Sequence, residues 1–88
     1  MSYKHLDWAL EKHLPSTEKL VLICLAKYAN SKTGECWPST IQIGHLAGLN
    51  PQTVSRAITK LRNRQLITTK RRRNRSNLYF LVTDVEST

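Results

Sequence analysis

Apolar residues in the first half of the chain recur at helical spacing. Tyr3, Leu6 and Leu10 form one stripe of a predicted helix over residues 3–13, which leaves Trp8 off the stripe and exposed. After the break at Pro15, Ser16 is expected to cap a second helix over residues 17–30. Apolar side chains cover most of the circumference of this second helix, so we expect it to be the centre of the core, with Cys24 as a small buried hydrophobe.

A loop and a third helix follow. Residues 30–38 predict a loop, because Gly34 lies in a turn-forming stretch and Pro38 favours extended backbone before it. Ser39 is an N-cap residue, and Gln42 completes a capping-box pattern. The apolar contacts of this third helix are expected from Ile41, Ile43 and Leu46. Gly44 lies in the middle of it, which costs about 1 kcal/mol relative to Ala and therefore indicates a close approach of the following helix.

The third helix leads through a tight turn into a fourth. Gly48 is placed to adopt the left-handed conformation that ends a helix, and Leu49 turns back into the core. Asn50 is an N-cap, and Pro51 takes the first helical position, where its missing N–H does no harm. The fourth helix then has one apolar stripe, formed by Val54, Ala57, Ile58 and Leu61. Residues 39–64 therefore predict a helix-turn-helix whose second helix is a recognition helix.

Two β-forming runs complete the pattern. Residues 67–69 are β-branched, and residues 77–83 alternate between two faces, with a basic segment between the two runs. They predict a β-hairpin, the wing, over residues 66–83. The predicted fold class is mainly α with a small β-hairpin: a winged helix-turn-helix of about four helices plus a two-stranded wing. One domain would span residues 1–83, and residues 84–88 would be a tail.

The placement of charge indicates the partner. The net charge is +8, and residues 36–83 contain nine Lys or Arg and no Asp or Glu. A field of one sign attracts polyanions, so nucleic acid is the expected partner. A basic domain that is merely soluble is the plain alternative. No membrane contact is expected, because the basic residues alternate with Thr and Asn rather than with a Trp, Phe or Leu face.

The recognition helix and the wing supply the candidate contacts. Side chains that reach bases come from the first exposed turns of a recognition helix, here Gln52, Thr53, Ser55 and Arg56. Three residues are placed for DNA phosphates: Asn50, Thr59 and Lys60. The wing adds Lys70, Arg71, Arg72, Arg73, Asn74 and Arg75, of which Arg73 or Arg75 is expected to enter a minor groove and the others to contact the backbone. The alternatives are a solvated helix face and a solvated run of charge.

Other chemistry is poorly supported. Two cysteines make no disulfide framework, and without a signal peptide they predict a cytoplasmic protein with reduced thiols, associated with the nucleoid when bound to DNA. The candidate metal ligands match no zinc spacing: Cys24, Cys36, His5, His13 and His45. No phosphate-binding loop and no nucleophile beside a base is evident, so neither a cofactor nor an enzymatic activity is expected.

Residues 14–67 resemble a known family. The stretches LPSTEKLVLICLAKYAN, TGECWPST and IGHLAGLNPQTVSRAITKLRNRQLI are similar to the winged helix-turn-helix domains of phage and plasmid replication-initiator-like proteins and related small regulators. The resemblance implies a DNA-binding surface made of Gln52, Thr53, Ser55, Arg56 and the wing residues 71–75. The chain departs from the family at Gly44, where Ala is common, and at Gln65, where Gly is usual before the Leu-Ile pair.

Sequence-specific binding of double-stranded DNA is therefore the expected function, in a transcriptional regulator or in an origin-binding or partition module of a plasmid or phage. The alternative is a basic winged-helix interaction module that docks an acidic protein, and RNA binding is a third reading. A homodimer, with Trp8 of the first helix at the interface, and monomers on repeated sites both fit the pattern, as does membership of a larger replication or regulatory assembly.

Overall fold

The architecture is mainly helical with a small antiparallel sheet, which confirms the predicted winged helix-turn-helix fold class. A computed structural model of the chain describes residues 4–30, 35–36, 38–70 and 78–82. Within these residues the elements are α1 (Lys4–Glu11), α2 (Ser16–Tyr28), β1 (Glu35–Cys36), α3 (Thr40–Ala47), α4 (Pro51–Asn63), β2 (Ile67–Lys70) and β3 (Leu78–Leu81).

Helix α2 lies at the centre of the core, as its apolar circumference predicts. It packs against α1, α3, α4 and β1. Val21, Leu22 and Leu25 are completely buried, and Cys24 is buried beside them. Because α2 contacts both helices of the helix-turn-helix, it holds the recognition helix in place relative to the rest of the core.

The buried face of α1 is not the predicted one. His5, Trp8 and Ala9 are buried, whereas Leu10 is half exposed and Tyr3 lies outside the described residues. These three buried positions also have the i, i+3, i+4 spacing of one helix face, rotated from the expected stripe. The prediction that Trp8 is exposed is therefore wrong. The large ring of Trp8 packs in the core, where the prediction placed Leu10. The Lys12 ammonium lies 5.2 Å from the ring centroid.

The ends of two predicted elements also differ. Ser16 is the first residue of α2 rather than its cap, because Pro15 holds the N-cap position and no side chain caps that end. The third helix begins as predicted: Ser39 Oγ accepts from the Gln42 backbone N–H, and Gln42 Oε1 accepts from the Ser39 backbone N–H. A capping box is a local feature of four residues, which explains why the sequence predicts it correctly.

The sheet contains a third strand. The wing strands β2 and β3 pair antiparallel with Thr68 opposite Phe80, as the hairpin pattern predicts. The predicted loop over residues 30–38 contains β1, which pairs antiparallel with β3 on its other edge, with Cys36 opposite Tyr79. The strand order is β1-β3-β2, so the wing is tied to the helical core through its second strand.

Helix α3 buries less of its apolar surface than the sequence predicts. Ile43 is completely buried, but Ile41 is 59% exposed and Leu46 is 44% exposed. Ile41 and Leu46 lie on the outward side of the helix with Gln42 and His45, which are exposed as well. The prediction that Ile41 and Leu46 contact the core is wrong, because an eight-residue helix packed against α2 and α4 on one side leaves its other side to solvent.

Candidate nucleic-acid interface

The turn between α3 and α4 depends on two glycines. Gly48 has a φ of 72°, in the left-handed region that glycine adopts without steric cost. The backbone N–H groups of Gly48 and Leu49 both donate to the Gly44 carbonyl oxygen. A Cβ at Gly44 would lie 2.5 Å from the Leu49 carbonyl oxygen. The close approach expected at Gly44 is therefore made by the backbone of the turn, one residue before the cap of α4.

The start of the recognition helix is fixed by its cap. Asn50 Oδ1 accepts from the Thr53 backbone N–H at 2.8 Å, and Pro51 takes the first helical position, as the sequence predicts. The cap satisfies one of the N–H groups that a helix leaves without partners at its first turn. Val54, Ala57, Ile58 and Leu61 are buried on one side of α4, which confirms the predicted apolar stripe and fixes which side faces solvent.

Three of the four predicted base-contacting residues lie together on the solvent side of α4. Gln52, Ser55 and Arg56 are exposed, and with Pro51 they line one shallow, open depression. Thr53 is half-buried and lies toward the core side of the same turn. The depression combines guanidinium and amide donors with hydroxyl and amide acceptors, which are the groups that read base edges in a major groove.

The residues predicted to contact phosphates are not equivalent. Lys60 is exposed on α4, and the Asn50 amide keeps its N–H donors because the cap uses only its oxygen. Thr59 Oγ donates its one proton to the Ser55 carbonyl oxygen at 3.1 Å. Phosphate oxygens accept hydrogen bonds, so Thr59 would have to break this internal bond before it could donate to DNA.

The wing contributes one described candidate. Lys70 is the last residue of β2 and is exposed. The other predicted wing contacts lie outside the described residues: Arg71, Arg72, Arg73, Asn74 and Arg75. β2 follows directly after α4 and contacts it, and Lys70 lies at the end of β2 that is farther from α4 along the chain.

An acidic side chain enters the basic region from α2. Glu18, in the first turn of α2, is buried, and its Oε1 accepts from Arg64 Nε at 2.7 Å. Residues 36–83 contain no carboxylate in sequence, but the fold brings one to the end of the recognition helix. Sequence reasoning missed this pair because the partners are 46 positions apart and no local pattern joins them.

The corner between α4 and the wing is a Schellman motif. Gln65 has a φ of 64°, the one positive φ at a residue other than glycine among those described. Its backbone N–H donates to the Arg62 carbonyl oxygen, and the Leu66 N–H reaches back to the Leu61 carbonyl oxygen. This motif usually has Gly at the left-handed position. The departure from the family pattern at Gln65 therefore puts a residue with a Cβ where the backbone conformation favours glycine.

The described residues offer no metal centre. They contain no group of three or more His, Cys, Asp or Glu side chains placed to hold an ion. Cys36 Sγ lies 3.7 Å from the Tyr79 carbonyl oxygen, and burial raises the pKa of the Cys36 thiol to about 12. Burial also raises the pKa of Cys24. Burial thus disfavours the thiolate form of both side chains, and the thiolate is the form that binds metal. None of the described helices is long and apolar enough to cross a bilayer.

Comparison with known proteins gives one match. No curated protein and no solved structure matches the chain. A family model described as a helix-turn-helix domain matches residues 12–67, well over half of the chain. The matched segment runs from the end of α1 to the first residue of β2, and so includes the capped turn and the whole recognition helix. Helix-turn-helix domains place their second helix in the major groove of DNA, which supports DNA as the partner. The chain belongs to the helix-turn-helix domain family.

Proposed function

We propose that the chain binds double-stranded DNA sequence-specifically, with α4 in the major groove and the wing against the backbone or a minor groove. The observation that carries this proposal is the depression formed by Gln52, Ser55 and Arg56 at the exposed start of a helix whose opposite side is buried. A helix that binds DNA needs one buried side and one exposed polar side, because the buried side holds it in place while the polar side reaches the ligand.

The dimensions of α4 suit a major groove. Its 13 residues give a length of about 20 Å, and a helix with its side chains is about 10–12 Å across. A major groove about 12 Å wide accepts such a helix. α4 begins at Pro51, directly after the Asn50 cap.

Each polar residue of the interface has a proposed role. Arg56 pairs with guanine O6 and N7, and Gln52 pairs with adenine N6 and N7. Ser55 and Thr53, which have shorter side chains, contact other base edges. Asn50 and Lys60 contact phosphates, which set the register of the helix without reading sequence. Thr59 joins them only if its bond to Ser55 opens. In the wing, Lys70, Arg71, Arg72 and Asn74 contact the backbone, and Arg73 or Arg75 enters a minor groove.

The resemblance of residues 14–67 to replication-initiator-like domains and small regulators supports a proposal for the biological setting. A transcriptional regulator, or an origin-binding or partition module of a plasmid or phage, would each use this surface. The protein would act in the cytoplasm on the nucleoid, as monomers on repeated sites, as a homodimer, or within a larger replication or regulatory assembly. The Trp8 side chain is only 5% exposed, so it is too buried to form the predicted dimer contact.

Selection of bound duplexes from a random pool tests the proposal directly. The site obtained reports the preferred sequence, and its symmetry reports how the protein assembles. With roughly six to eight phosphate contacts, the logarithm of affinity should fall against the logarithm of salt concentration with a slope of roughly −5 to −7. Equal and weak binding of selected and random duplexes at low salt contradicts the proposal and favours docking of an acidic protein. Competition by single-stranded or duplex RNA identifies RNA binding.

Arg56 provides the sharpest test of base reading. Arg56→Ala should cost about 1–3 kcal/mol on the selected site and relax the preference at one base position. Lys60→Ala is the matched control, since it removes the same charge from the same helix. It should weaken binding to the selected and random duplexes by the same factor and reduce the salt slope by about 1. Equal losses on both duplexes for Arg56→Ala would show that Arg56 does not read a base.

A further inference from the structure

The pair Glu18–Arg64 joins the core helix to the end of the recognition helix. Glu18 is 5% exposed, and its Oε1 lies 2.7 Å from Arg64 Nε. The Arg64 side chain is 46% exposed. A charge-assisted hydrogen bond of this length is a strong contact, because the donor and the acceptor are both ionised and the carboxylate lies away from water.

The place of the pair in the fold is specific. Arg64 is the C-cap residue of α4, and Gln65 and Leu66 complete the Schellman corner that leads into β2. The recognition helix ends at this corner and the wing begins there. Glu18 belongs to α2, the helix that packs against both α3 and α4. A bond from α2 to the corner therefore restrains the direction of the recognition helix and the departure of the wing together.

The pair also changes the charge that DNA meets. Of the basic side chains in residues 36–83, Arg64 is the one with a carboxylate partner among the described contacts. Releasing Arg64 would leave a buried carboxylate without a counter-ion, which is strongly unfavourable. The positive charge of Arg64 is thus compensated within the protein, while Arg56, Lys60 and Lys70 are exposed and form no ion pair with any described residue.

We propose that Glu18 and Arg64 are positioning residues of the DNA-binding surface: their ion pair fixes the corner between recognition helix and wing and withholds the charge of Arg64 from DNA phosphates. This inference rests on the proposed function. It assigns to Glu18, which lies outside the recognition helix and the wing, a role in the discrimination between specific and random DNA. Loss of the Glu18 charge should raise the affinity for random DNA and lower the ratio of specific to random affinity.

The test measures affinity for the selected site and for a random duplex over a range of salt concentrations. In Glu18→Gln the amide keeps the shape and an acceptor oxygen, but Arg64 loses its counter-ion. One further phosphate contact should steepen the salt slope on random DNA by about 0.9 and tighten random binding by about fivefold to tenfold at 0.1 M salt. Affinity for the selected site should not rise, so the ratio of specific to random affinity falls by the same factor.

Glu11→Gln is the matched control for net charge. Glu11 is an exposed acid on α1, so its replacement adds the same charge to the protein at a distance from the corner. If the two variants change slope and ratio alike, the effect is one of total charge and the positioning role is overturned. If Glu18→Gln lowers both affinities in one proportion with an unchanged slope, Glu18 contributes only to folding, and the inference is equally overturned.

The single variant Arg64→Gln is an independent arm, because it does not contain the Glu18→Gln change. Because the Arg64 charge is withheld from DNA, Arg64→Gln in the otherwise unchanged protein should leave the slope on random DNA as it was. The double variant Glu18→Gln/Arg64→Gln should return the slope to that of the unchanged protein. A slope flatter by about 0.9 in Arg64→Gln alone would make Arg64 a phosphate contact and refute the inference.

The unchanged protein separates this inference from the proposed function. If it binds no duplex DNA, both fail. If it binds the selected site with a steep salt slope while the variants at Glu18 and Arg64 behave like their controls, the proposed function stands and the positioning role alone is wrong.

Discussion

Replacement of Gln65 by Gly should stabilise the protein. Gln65 lies at the left-handed position of the corner after α4, with a φ of 64°. In this conformation the Cβ of an L-residue crowds its own backbone, and glycine has no Cβ. The two hydrogen bonds of the corner come from the backbone N–H groups of Gln65 and Leu66, so the substitution leaves them in place.

The size of the effect follows from two opposing terms. A left-handed residue with a Cβ costs about 1–2 kcal/mol relative to glycine. Glycine gives the unfolded chain more freedom, which costs about 0.4–1 kcal/mol. The Gln65 side chain is exposed, so its removal loses little packing. The net gain is expected to be about 0.5–1 kcal/mol, which for a domain of this size raises the Tm by about 2–8 °C.

Thermal and urea unfolding measure this gain, and two further variants identify its cause. Gln65→Ala removes the same side-chain atoms but keeps the Cβ, so its stability should stay within about 0.5 kcal/mol of the parent. Gln65→Asn should fall between Ala and Gly, because Asn tolerates the left-handed region better than other side chains do. Equal stability of the Ala and Gly variants would refute the reasoning, since any change would then come from the lost side chain and not from backbone strain.

Three further predictions concern the turn and the core. Asn50→Ala removes the cap of α4 and should lower the free energy of unfolding by about 1 kcal/mol, whereas Asn50→Asp keeps a capping oxygen and should retain most of it. Gly44→Ala gains about 1 kcal/mol of helix propensity but forces the Leu49 carbonyl away from a 2.5 Å contact, so calorimetry should show a net loss of about 1 kcal/mol. Burial and then the charge of Lys4 lower the pKa of His5 from 6.5, so the folded state favours the neutral ring. Stability should therefore fall as the pH drops below 6.5 toward the lowered pKa, and His5→Gln should lack this part of the pH dependence.

The helix-turn-helix was predictable because its signals are local. Each signal involves only three or four neighbouring residues: the capping box at Ser39, the cap at Asn50 and the left-handed Gly48. Such signals can be recognised in the sequence without knowledge of the tertiary structure. The apolar stripe of α4 was predictable for a similar reason, because a strongly amphipathic helix has only one side to bury.

Errors arose where the outcome depends on distant parts of the chain. α1 offers two apolar stripes, and the packing against α2 decided in favour of the one with Trp8. The two residues of β1 are a strand only because β3 lies beside them. The contact between Glu18 and Arg64 joins α2 to the end of α4, and no periodicity of the sequence reports it.

The same contact changes how the charge of the chain should be counted. Nine Lys or Arg fall in residues 36–83, but Arg64 is paired within the protein and Arg56 is proposed to contact a base. Seven remain for the DNA backbone and minor groove, for which the expected salt slope is roughly −6. Four of the seven are arginines of the wing, at positions 71–73 and 75. The wing would then supply more than half of the electrostatic attraction to DNA, while α4 would supply the sequence specificity. Because α4 and the wing meet at the corner next to Arg64, the proposed positioning role predicts that the orientation of that corner determines whether both parts contact the same stretch of DNA.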